Sequence, residues 1–140
     1  MGFLIKKQIG NGIITAKITL REDDLKATGS IYNITEYPAV PGYFWNVLYM
    51  NGEIIEDVGN TPYAGTTNIH IQASTAPNYQ FRFGASLMLQ PVGTWHTTLV
   101  TTILPTIYAK NDFLQIHNTG ILTAGDTSLV IYIGAILQEY

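Results

Sequence analysis

The chain has 140 residues, a net charge of -3 and no cysteine. A domain of this size buries roughly 70% of the surface its unfolded chain exposes, so it needs neither a disulfide nor a metal staple. Charged residues make up 12% and hydrophobic residues 46%, a balance that excludes a disordered chain. Five lysines and two arginines form no basic stripe, which excludes nucleic acid as the expected partner.

Polarity comes instead from 17 threonines and nine tyrosines, residues that favour strands. A surface with so little charge is one that partners cover. No apolar stretch reaches the ~18 residues of a membrane span, and no membrane partner is expected. The start, Met1 to Lys7, is too briefly apolar for a signal peptide.

Residues 1–11 read as an N-terminal arm, with 12–140 as one domain. Phe3, Leu4, Ile5, Lys6 and Lys7 make the arm a candidate tether, and an edge strand is the equal alternative. Ile14, Ala16, Ile18 and Leu20 alternate with Thr15, Lys17 and Thr19, the period of a half-buried strand. Arg21 to Lys26 is one helical turn at most. A second strand covers 29–35, and Pro38 and Pro41 mark the loop after it. Tyr43 to Met50 is a strand apolar on both faces. Asn51-Gly52 then signals either a hairpin or a bulge inside one long strand running to Asp57.

A polar loop covers 59–67, followed by a short strand at Ile69 to Ile71. One or two strands lie in 80–90, with Phe81 and Phe83 opposite Arg82. Pro91 to Trp95 is a turn. The end of the chain reads strand, loop, strand: Asn111 to His117, the loop through Asn118-Thr-Gly120 and Gly125-Asp126, then Ser128 to Leu137. The last strand has no polar face and must be covered twice. Leu129, Ile131, Ile133, Ala135 and Leu137 should line the core, with Val130, Tyr132 and Ile136 facing a second cover, either loops or a neighbouring subunit. Seven to nine short strands without a convincing helix predict an all-β, single-domain, jelly-roll-like β-sandwich.

No catalytic set emerges. His70, His96 and His117 have no metal-ligand spacing, and His70 and His117 should point away from the core. No nucleophile motif and no cysteine exist. Glu53 and Glu56 fall on opposite faces of an ideal strand, which weakens an acid–base pair. Asp126 has no further oxygen ligands nearby for calcium. A non-enzymatic protein without cofactor or metal is expected.

Two regions carry a family resemblance. One is Ala39-Val-Pro-Gly-Tyr43 through Val47-Leu48 and on to Gly59-Asn-Thr-Pro-Tyr63; the other is Asp112-Phe-Leu-Gln-Ile116 through Thr123-Ala-Gly-Asp-Thr-Ser-Leu-Val-Ile-Tyr132. Over roughly residues 14–137 the chain resembles small tailed-bacteriophage proteins that decorate the head or form head fibres. That resemblance implies a virion structural protein at the capsid surface. It would be a homotrimer whose partners are itself and the major capsid protein or another virion protein, with the arm as attachment segment. It favours the long-strand reading of residues 43–57. The alternative is a carbohydrate- or receptor-binding module using loop aromatics, for which Tyr37, Tyr43, Tyr63, Tyr79 and Trp95 are available.

Overall fold

A computed structural model describes residues 12–27, 29–75, 81–100 and 112–139, with Leu99 and Val100 known by backbone alone. The arm, Phe3 to Lys7 included, and Tyr79 lie outside the described residues.

Eleven strands occur among the described residues: β1 (Ile14–Leu20), β2 (Ser30–Asn33), β3 (Tyr43–Glu56), β4 (Ala64–Thr66), β5 (Ile69–Ala73), β6 (Phe81–Arg82), β7 (Trp95–Thr97), β8 (Leu99–Val100), β9 (Leu114–Asn118), β10 (Ile121–Thr123) and β11 (Thr127–Glu139). Nine of them are three residues or longer. The single helical turn α1 (Glu22–Lys26) follows β1. Sheet 1 has the order β1-β11-β3-β7 and sheet 2 the order β2-β9-β5-β6-β8, with β10 and β4 forming a separate ribbon. All pairings are antiparallel. The chain alternates between the sheets from β1 to β2, β3 and β5. The late strands then insert between early ones: β11 between β1 and β3, and β9 between β2 and β5. This is a jelly-roll-like sandwich.

The period-two pattern fixes which face is buried. Leu129, Ile131, Ile133, Ala135 and Leu137 on β11 are all buried, opposite Ile54, Met50, Val47 and Trp45 of β3. On β1, Ala16 and Leu20 are buried and Ile18 packs against the core. From sheet 2, Ile69, Ile71, Ala73, Leu114 and Ile116 close the other side. Burying a Leu or Ile side chain is worth about 1.5–3 kcal/mol, so this inner layer holds the two sheets together.

β3 runs unbroken through Asn51-Gly52, so the hairpin signal is overruled. Its bulge lies at Leu48, where the partner register jumps from Gly134↔Tyr49 to Ala135↔Val47, and not at Gly52. Gly52 has a steric reason instead: a Cβ there would meet the Phe83 ring at 2.9 Å and Leu129 at 3.1 Å. The polar loop 59–67 contains the ribbon strand β4, which its composition concealed. Residues 80–90 hold only the two-residue β6 and a 3-10 turn at Leu87–Leu89. Phe83 is buried and Arg82 exposed, with the alternation expected for 81–83.

Polar side chains bind the connections to the sandwich. Asn118, fully buried, donates to the carbonyls of Asp24 and Leu25 and pairs with Thr67, which holds α1 and its buried Leu25 against the ribbon end. Asp112 accepts hydrogen bonds from Ser74, Thr75 and the Phe113 amide, closing the open end of β5 and β9. Two loop tyrosines reach β11. Tyr37 donates to the Ile133 carbonyl at 3.1 Å and lies 2.8 Å from that of Ile14, and Tyr63 donates to the Thr127 carbonyl at 2.6 Å. Burial pushes both phenols up from their ordinary pKa, so each stays a donor.

Candidate interaction face

The outer face of sheet 1 gathers side chains that lie outside the sandwich core. Even-numbered residues of β11 point outward: Val130 beside Thr19 and Glu53, Tyr132 beside Lys17 and Asn51, Gly134 beside Thr15 and Tyr49. Beyond the Leu48 bulge the same face continues through Ile136 beside Asn46 and Gln138 beside Phe44. The edge strand β7 adds Trp95 opposite Glu53 and Thr97 opposite Asn51.

The centre of this face is aromatic. Trp95, 58% exposed, stacks on Tyr132 with ring centroids 5.7 Å apart and planes inclined by 22°. Lys17 Nζ lies 5.8 Å from the Tyr132 ring on the β1 side, within cation–π range. The Tyr132 hydroxyl is 3.5 Å from Glu53 Oε1, a long contact. Tyr49 lays its ring across Gly134, where a Cβ would sit 2.5 Å from Tyr49 Cζ. The glycine therefore makes room for a cross-strand aromatic cover. Leu48, pushed out at the bulge, is 42% exposed. An aromatic and aliphatic stripe thus runs along β11, with Lys17, Thr19, Asn46, Asn51, Glu53 and Thr97 at its margins.

Val130, Tyr132 and Ile136 do lie on the face turned away from the core. Part of their cover comes from this chain: Val130 is already buried and Tyr132 and Ile136 are half-buried. Trp95 over Tyr132 and Tyr49 over Gly134 were not foreseen as partners. A glycine inside an otherwise bulky strand was the available signal.

Three of the loop tyrosines are turned inward and present no binding surface. Tyr37, Tyr43 and Tyr63 are core residues, each less than a tenth exposed. Their hydroxyl or ring is spent on the fold: Tyr37 packs against Trp45 with centroids 4.9 Å apart, and Tyr63 holds Thr127. Trp95 is exposed, on a strand rather than a loop.

The carboxylates do not converge. Glu53 belongs to the outer face, and Asp57 pairs with Arg21 at 2.5 Å. That guanidinium holds the Asp57 carboxyl down at about 2. No cluster of three or more His, Cys, Asp or Glu able to hold a metal occurs among the described residues. His70 and His117 point away from the sandwich interior, on the outer face of sheet 2, but His70 is buried there. Desolvation lowers its pKa to about 4, so it is neutral at pH 7.

No family model matches the chain, and no curated protein matches it. Two solved structures are similar to it. One is a chain in the capsid asymmetric unit of cyanophage Pam1, with 15% identity and a TM-score of 0.47, covering 89% of this chain and 82% of that one. The other comes from the acidic stable capsid structure of Helicobacter pylori bacteriophage KHP30, also with 15% identity and a TM-score of 0.47, covering 93% of this chain and 95% of that one. Likeness at this level says nothing about function.

Proposed function

We propose that this protein is a non-enzymatic virion structural subunit that associates with copies of itself through the outer face of sheet 1. The observation that carries the self-association is the stripe formed by Trp95, Tyr132, Tyr49 and Ile136, with Leu48 beside it. An aromatic patch inside a polar margin has the composition of a protein interface. The bacteriophage setting rests on the sequence resemblance, and low overall charge supports a molecule much of whose surface is covered. In this reading the assembly is a homotrimer on the capsid surface, as head decoration or head fibre. Residues 1–11 attach it to the major capsid protein or another virion protein.

Mass measurement in solution tests this directly. The whole chain should be a trimer at micromolar concentration, and Ile136→Glu should be a monomer with an unchanged far-ultraviolet spectrum. A wild-type monomer overturns the self-association. Deleting residues 1–11 should leave a folded trimer that no longer binds particles; continued binding removes the arm from the attachment.

Carbohydrate binding is the second reading, favoured by the same exposed Trp95 with Lys17, Asn51, Glu53 and Thr97 around it. An indole face flanked by hydrogen-bonding groups suits a sugar ring. Binding on a glycan array that Trp95→Ala abolishes supports this reading, and an array without hits counts against it.

A further inference from the structure

The four edge strands of the two sheets are not alike. β2, β7 and β8 have four, three and two residues, and a short edge offers little for another strand to pair with. β1 has seven, without proline, in unbroken register with β11 from Ile14↔Ala135 to Leu20↔Leu129. Its one charge is Lys17. Where the strand begins, Ile13 and Ile14 are 51% and 39% exposed.

Tyr37 reveals which way the β1 backbone faces. Its hydroxyl lies 2.8 Å from the Ile14 carbonyl oxygen and 3.1 Å from that of Ile133. One hydroxyl meets both because both carbonyls lie in the seam between β1 and β11. Successive residues of a strand turn their N–H and C=O groups to opposite sides. Ile14, Ala16, Ile18 and Leu20 therefore face β11, and Ile13, Thr15, Lys17 and Thr19 aim their backbone groups outward. Among the described residues no strand lies beyond β1, and no backbone hydrogen bond reaches those outward groups.

The chain that enters β1 matches this edge. Asn11-Gly12 directly precedes Ile13, and Asn-Gly is the preferred pair for a two-residue hairpin turn. Such a turn makes Gly10 and Ile13 its hydrogen-bonded closing pair. It then sets Gln8 against Thr15, Lys6 against Lys17 and Leu4 against Thr19. Ile13, Thr15, Lys17 and Thr19 are the residues whose groups point outward, so the turn and the open edge agree. The eight residues from Phe3 to Gly10 match the eight from Ile13 to Leu20. Phe3, Ile5 and Ile9 fall on the core side of the sheet in this register, with Ile9 beside the exposed Ile14. Lys6 opposite Lys17 is a like-charge pair and weakens the match.

We propose that residues 3–10 dock on the outer edge of β1 of their own chain as a fifth strand of sheet 1, through a hairpin turn at Asn11-Gly12. The docking gives the arm its place in the free protein and does not rest on the function proposed above. An arm that attaches to a particle must first leave this edge.

Amide hydrogen exchange tests the docking, with the whole chain compared against the chain lacking residues 1–11. The Thr15, Lys17 and Thr19 amides should exchange about tenfold or more faster once the arm is gone, with Ala16 and Ile18 unchanged. Equal rates in the two proteins overturn the proposal. Because the chain has no cysteine, a cross-link then identifies the owner of the docked arm. Leu4→Cys with Thr19→Cys, about 5.5 Å apart between Cα atoms in this register, should oxidise to a disulfide within one chain. The wrong-face pair, Ile5→Cys with Thr19→Cys, should stay reduced. Disulfides between chains overturn the proposal, as does equal oxidation of the two pairs. Should the shortened chain not fold, the cross-link decides alone.

Discussion

Replacing Gly125 by alanine should cost far more than a turn glycine usually does. A Cβ at 125 would stand 2.6 Å from both Cδ1 and Cδ2 of Tyr63, and closer still to Cγ. Cγ is the root of the ring, so a small torsion cannot relieve the overlap. The ring is tied at both ends, by its hydroxyl on the Thr127 carbonyl at 2.6 Å and by its own amide on the Met88 carbonyl at 3.0 Å. Ejecting the ring would cost what aromatic truncation costs, about 3–5 kcal/mol. Shifting the turn instead is ordinary overpacking, about 1–3 kcal/mol. The cheaper route sets the loss, so we expect about 2–3 kcal/mol by urea unfolding, a Tm drop on the order of 10 °C. Tyr63→Phe keeps the ring and strands the carbonyl, for about 1–3 kcal/mol. A double-mutant cycle isolates the cause. In a Tyr63→Ala background Gly125→Ala should be nearly neutral, and fully additive losses would refute the steric argument.

The neighbouring position should respond the opposite way. Ala124 has φ +67, a left-handed conformation that glycine adopts without strain, so Ala124→Gly should be neutral or stabilise by up to about 1 kcal/mol in the same unfolding assay. Asp57, held down at about 2 by Arg21, contributes stability that is complete above its ordinary 3.8 and is lost as pH falls through about 2. Asp57→Asn should remove that acid-limb dependence, read as the stability difference between pH 4 and about pH 2 by urea unfolding.

The core of the sandwich was legible because strand periodicity reports it directly. The alternation in 129–137 places the right residues inside; in 14–20 it does so for Ala16, Leu20 and the partly buried Ile18, while Ile14 at the start of the strand is exposed. Local rules failed where tertiary contacts reassign a residue's purpose. Asn51-Gly52 has hairpin chemistry, but Gly52 is there to let Phe83 and Leu129 approach. In the turn before β11 the left-handed residue is Ala124, and Gly125 serves Tyr63. Loop tyrosines have the composition of a binding surface, yet Tyr37 and Tyr63 reach inward because β11 offers carbonyls to their hydroxyls. The candidate face was half visible: strand parity put Val130, Tyr132 and Ile136 on it, while Trp95 and Tyr49 come from strands whose pairing no local pattern encodes. The meeting of His70 and His117 was invisible for the same reason, since it depends on the register of β5 against β9.

The insertion of β11 between β1 and β3, and of β9 between β2 and β5, ties folding to the order of synthesis. Until β9 and β11 have left the ribosome, neither sheet has the strand that joins its early members, and β1, β2, β3 and β5 present unpaired edges. Pairing Ile14 with Ala135 or Leu20 with Leu129 spans most of the chain, and such long-range closures are slow. The nascent protein must therefore keep apolar strands from foreign partners until β11 has emerged. Chains truncated near the C-terminus are expected to aggregate rather than to form smaller domains.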